Sequence, residues 1–197
     1  FGQLGTAPEW ASYLKTVKTG RTTPSYHDRY FQPVDMSDFR NYVKTVVSRY
    51  KGVIDEYFVW NEPWNPAWWG TGYKNGEYTT SQDPTGDFEK LTKAARESAK
   101  AIYPEVKISG FNSKGSGSDW TEGVLKAGGL SSCDIIDYHF YTPALTGYKN
   151  DPTDAAWKQA IGPIEKENPS LADKPVYMSE GQGSSTGSLN PNSFVVY

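Results

Sequence analysis

The chain has 197 residues, a formal net charge of −3, 37% hydrophobic and 22% charged residues, a balance that excludes a disordered chain. A domain of this length buries about 70% of its unfolded surface. No apolar run approaches the ~20 residues of a spanning helix, and the basic residues are scattered, which argues against membrane and nucleic acid as partners.

The chain opens abruptly at Phe1-Gly2-Gln3-Leu4-Gly5, which reads as a processed or truncated N-terminus with no secretory leader in view. Asp35 to Tyr50 carries Phe39, Val43, Val46, Val47 and Tyr50, the spacing of one helical face. Asp35 suits its cap and Gly52 the position past its end. Glu56 to Trp60 is short, aromatic and β-branched, as a strand buried on both faces would be. The pattern then repeats. Asp87 to Tyr103 reads as a helix with Phe88, Leu91, Ala95 and Ile102, and the Asp83–Asp87 stretch reads as its cap rather than as a calcium loop. Val106 to Gly110 is a strand, Asp119 to Ala127 a helix, and Asp134 to Tyr138 a strand. Thr153 to Glu167 is helical in pattern, with a kink expected at Pro163, and Pro175 to Ser179 is the last clear strand.

Such alternation predicts a single α/β domain over residues 1–197, with a parallel sheet covered by helices. An open doubly wound sheet and a closed barrel both satisfy it. The glycine-rich phosphate turn of the open sheet is missing. Gly115-Ser116-Gly117-Ser118 has neither a P-loop lysine nor dinucleotide spacing. The polar residues Asn61, Glu62, Asn112, His139, Tyr141 and Glu180 each fall at the C-terminal end of a strand. Barrel enzymes build their sites on that face, so the barrel is favoured.

Cys133 is the single cysteine, so no intrachain disulfide or cysteine-based metal site can form. The two histidines, His27 and His139, have no ligand spacing, and neither a metal nor another cofactor is expected. Aromatic residues make up 15% of the chain, with 14 Tyr and 7 Trp. They imply either a core of large side chains or a surface that stacks flat ligands.

Glu62 and Glu180 could serve cleavage of a glycosidic bond, which needs a protonated carboxyl for the leaving oxygen and a second carboxylate. In a retaining enzyme the second group attacks the sugar, and the pair lies about 5–5.5 Å apart; inversion needs about 6.5–9.5 Å. An isolated strand-end glutamate is ordinarily only a surface charge. The neighbouring residues point further. Trp60-Asn61-Glu62-Pro63 resembles the Asn-Glu-Pro element that ends the fourth strand in glycoside hydrolase clan A. Ser179-Glu180 resembles that clan's seventh-strand end, and His139-Phe140-Tyr141 its sixth-strand His-x-Tyr element. Thr6 to Ser12 is similar to a loop after the third strand in family 39 and its relatives.

The resemblance implies a retaining O-glycosidase with Glu62 as acid/base and Glu180 as nucleophile. It implies that Asn61 holds a sugar 2-hydroxyl and that Tyr141 hydrogen-bonds the nucleophile, with His139 beside them. Trp10 and Trp64 are expected to stack on sugar, while Trp68 and Trp69 suit either sugar contact or a packed loop. The substrate would be a β-linked oligo- or polysaccharide, and the protein would be secreted. Only strands three to seven of a (β/α)8 TIM barrel are recognisable, so the barrel is expected to be partial, incomplete at both ends. Further segments or a second chain would complete it. A non-catalytic carbohydrate-binding or structural scaffold derived from such a barrel is the alternative.

Overall fold

The structure is a computed structural model that describes residues 1–113, 119–141 and 162–182. It begins with strand β1 (Gly2–Leu4), followed by short 3-10 turns at Glu9–Ala11, Tyr13–Lys15 and Tyr26–Tyr30. Helix α1 (Met36–Tyr50) starts where the Asp35 carboxylate accepts the Ser37 amide at 2.7 Å, which satisfies one of the orphan donors of a helix start. Its buried face is Phe39, Val43 and Val47. Val46 packs at the edge of the core and Tyr50 is exposed.

Strand β2 (Glu56–Val59) leads into a long loop carrying a hairpin of β3 (Gly72–Lys74) and β4 (Glu77–Thr79). Helix α2 (Pro84–Ile102) begins three residues before the expected Asp87, because Asp83 caps it through the Gly86 amide and Pro84 takes the first position, where proline loses no hydrogen bond.

Strand β5 (Lys107–Ser113) is followed by α3 (Asp119–Lys126) and α4 (Gly129–Ser132), then β6 (Ile135–Tyr141). Of the helix expected over 153–167, residues 153–161 lie outside the described part, and α5 (Gly162–Glu167) is its remainder. Strand β7 (Val176–Gln182) is the last described element. Strands β5, β6 and β7 each run about three residues past the predicted ends. His139, Tyr141 and Glu180 therefore lie within strands rather than after them.

The sheet is parallel, with the order β1-β2-β5-β6-β7. Spatial order follows chain order without the reversal that defines a doubly wound sheet. The sheet curls into a half-barrel, as the sequence predicted. Helices α1 and α2 pack side by side, with α3 and α4 against α2, and Phe88, Leu91, Ala95 and Ala99 of α2 are buried with Ile108, Ile136 and Tyr138 of the sheet. Burying each large apolar side chain contributes about 1.5–3 kcal/mol. At Gly110 a Cβ would lie 2.8 Å from Thr92 Cγ2 and 2.9 Å from the Cys133 Cβ, so this point of contact between helix and sheet admits only glycine.

Candidate active site

The concave side of the sheet is built by strand alternation, since residues i and i+2 share a face. A cavity of about 330 Å³ there is lined by residues that include Gln3, Phe58, Asn61, Asn112, Asp137, His139, Ser179 and Glu180. Two irregularities of the sheet shape its upper rim. Between β5 and β6 the register moves from Gly110↔Ile136 to Ser113↔Tyr138, one extra residue on β5. Between β6 and β7 it moves from Tyr138↔Met178 to His139↔Glu180, one extra residue on β7. Such bulges re-aim side chains, and here they set Asn112 and Glu180 at the rim.

Backbone strain gathers at the same level. Trp60 (φ 65°), Glu62 (φ 46°), Phe111 (φ 84°) and Asn112 (φ 44°) all occupy the left-handed region, where a non-glycine residue costs on the order of 1–3 kcal/mol. Asparagine tolerates it best. Asn112 holds the turn after β2 in place. Its Oδ1 accepts the Glu62 amide at 2.9 Å, and its Nδ2 donates to Val59 O at 3.3 Å. Gln3 Nε2 donates to Trp60 O at 2.8 Å from the other side.

The structure brings Glu62, His139 and Glu180 together. His139 is 5% exposed, with Nδ1 3.1 Å from Glu62 Oε1 and 3.6 Å from Glu180 Oε2. With the carboxylates ionised, the ring N–H donates toward them. An oxygen from each carboxylate and a ring nitrogen of His139 all lie within 4.8 Å of one another. The two acids differ in setting, at 15% side-chain exposure for Glu62 and 48% for Glu180. Two carboxylates and an imidazole could also ligate a divalent ion, a grouping that sequence spacing did not reveal.

Asn61 lines the cavity beside Glu62. Tyr141 is in β6, but its side chain lies outside the described residues. Trp10 is not brought to the carboxylates. It is 67% exposed and lines a separate pocket of about 240 Å³ with Pro8, Pro33, Phe39 and Tyr42, because the 3-10 turn after β1 swings it onto α1. Trp64 does not line the carboxylate cavity but packs, partly buried, against the core. Trp69 is buried against Trp60 and Phe88, and the ring of Trp68 lies 4.3 Å from that of Tyr30. Those two form the packed interior of an ordered loop.

Tyr30, Asp137 and Ser109 carry no motif in the sequence, and Ser179 enters there only as the neighbour of Glu180. Tyr30 has its phenol pushed up to about 12, first by burial, then by Tyr26, with the Glu180 charge adding to the rise. Asp137 is a fully buried carboxyl raised to about 6 by burial. An acid between Ile135-Ile136 and Tyr138 in a core strand was the available signal.

No protein-family model matches the sequence, and neither does any curated protein. Solved structures do share its fold. A family 39 glycoside hydrolase from Bacteroides cellulosilyticus WH2 aligns over 82% of this chain and 33% of its own, with TM-score 0.54 and 20% identity. A glucosidase from Croceicoccus marinus aligns over 80% of this chain and 33% of its own, with TM-score 0.51 and 15% identity. The chain thus spans about a third of the length of these structures, and over that third its fold is that of their barrels.

Proposed function

We propose that the chain carries the catalytic rim of a retaining glycosidase acting on a β-linked oligo- or polysaccharide. The observation that supports this reading best is the meeting of Glu62 and Glu180 around a shared histidine, one oxygen of each lying within 4.8 Å of the other, as two carboxyls that act on one glycosidic bond require. Glu180, the more exposed acid and the one lining the cavity, attacks the anomeric carbon. Glu62 gives its proton to the departing oxygen. A water entering afterwards loses a proton to Glu62 and its oxygen displaces Glu180, which restores both groups. His139 orients both carboxylates, and Asn61 is placed to hold a hydroxyl of the sugar next to the bond that breaks. A secreted location accords with a polymeric substrate.

Labelling with a 2-fluoro glycoside bearing an activated leaving group, followed by peptide mapping, tests the assignment. The expected label is on Glu180, and a label on another carboxylate overturns it. Glu62→Ala is expected to lower kcat about 10²–10⁴-fold on substrates with poor leaving groups, with a much smaller loss when the leaving group needs no proton. A second reading, glycan binding without turnover, draws on the half-barrel: among the described residues β1 and β7 each pair on one side only. Oligosaccharide binding to a protein that neither turns over nor takes the label would favour it.

A further inference from the structure

Beneath Glu62 and Glu180 lies a third carboxylate that the proposed chemistry leaves unused. Asp137 is 1% exposed, on the same face of β6 as His139. Its hydrogen bonds come from hydroxyls and a backbone amide. Ser109 Oγ on β5 and the Asn112 amide, at 3.3 Å, donate to Oδ1, and Ser179 Oγ on β7 donates to Oδ2 at 3.2 Å.

The two oxygens lead to different acids. From Oδ1 the path runs through Asn112, whose side chain accepts the Glu62 amide at 2.9 Å. From Oδ2 it reaches Ser179, the extra residue of the β7 bulge and the immediate neighbour of Glu180. Both bulges that form the rim are therefore fastened to one carboxylate. Burying an acid without a hydrogen-bonded cation is costly, and a purely structural core position here would be filled better by an apolar residue.

We propose that Asp137 is a positioning residue, its buried carboxylate fixing the spacing of Glu62 and Glu180 by holding the two bulged strand ends that carry them. Its effect on rate rests on the glycosidase reading; its geometry does not.

The test is Asp137→Ala and Asp137→Asn in the full chain, read by aryl β-glycoside kinetics and by residue-resolved amide exchange. Asp137→Ala is expected to lower kcat roughly 10–100-fold, the scale of an ångström of misplacement, with KM changed less than about threefold. The Glu62 and Asn112 amides should lose protection. Asp137→Asn should recover most of the rate, because its oxygen can still accept the Asn112 amide while the Ser179 hydroxyl turns to accept from Nδ2. A folded Asp137→Ala protein with unchanged kcat and unchanged Glu62 protection overturns the proposal. So does a folded Asp137→Asn protein as impaired as the alanine variant. If Asp137→Ala does not fold, Ser179→Ala, altered at an exposed residue, decides: kcat should fall about threefold or more, and no change overturns the proposal. Absence of turnover in the unaltered protein counts against the glycosidase reading alone, and amide exchange then decides the clamp.

Discussion

Asp137 also sets a pH dependence of stability. Burial raises its carboxyl to about 6, although Ser109, His139, Asn112 and Ser179 all favour the ionised form. An acid whose folded pKa exceeds its unfolded value of about 3.9 holds its proton more tightly in the fold. Its contribution is full below the unfolded value and is lost as pH rises through about 6. A rise of this size corresponds to roughly 3 kcal/mol. Asp137→Asn cannot ionise, so urea unfolding between pH 4 and pH 7 should show the native protein losing up to about 2–3 kcal/mol relative to the variant. Parallel pH curves would contradict this. At this scale the sequence conveyed Glu62, Glu180, Asn61 and His139, because each carries a local motif. It could not convey that Ser109 and Ser179 meet at Asp137, which depends on which strands become neighbours, nor that Trp10 faces another pocket.

Individual elements were legible where caps and periodicity agree. Asp35 before a 3.6-residue apolar pattern marked α1, and Asp83-Pro84 held the true start of α2 in plain view. Asp83→Ala should cost about 1 kcal/mol, read as a lower urea midpoint with an unchanged slope. A zero effect would mean that tertiary contacts alone hold that end. Asp134 ties α2 to the sheet: Arg96 and Lys100 reach it at 3.0 and 3.2 Å, and the Ile108 amide bonds it at 3.1 Å. Burial opposes its ionisation, yet these partners hold its carboxyl below the ordinary value. That stability is present above the unfolded pKa and is lost on acidification through the lower, folded one. The β3–β4 hairpin had a sequence signal as well. Asn75 (φ 54°) and Gly76 (φ 86°) turn it, and Asn-Gly between Tyr73 and Tyr78 is a recognised hairpin pattern, here too short to stand out within a long polar loop. The bulges in β5 and β7 had none, since a bulge is a relation between two strands.

For the whole molecule, sequential strand order and helices packed side by side leave a concave face where exposed Phe1 packs at a tilt on Phe58 and edge-on to Tyr177. Among the described residues β1 and β7 each have one unpaired edge, and apolar surface flanked by such edges favours association. The 197-residue chain by itself should therefore self-associate with rising concentration in sedimentation velocity. A monomer throughout would mean that the edges are protected.

The sequence alone determined the alternation of strands and helices and pointed to the two glutamates, because periodicity, caps and short motifs are local. It also implied that the barrel is partial. Only the tertiary structure decided how the glutamates meet: which strands adjoin, where their registers slip, and which buried acid lies under the rim. Those facts depend on pairs of residues far apart in the chain, and no single segment records its partner. The fold brought Glu62 and Glu180 around His139, and it did so through strained turns and bulges that only the paired strands could hold.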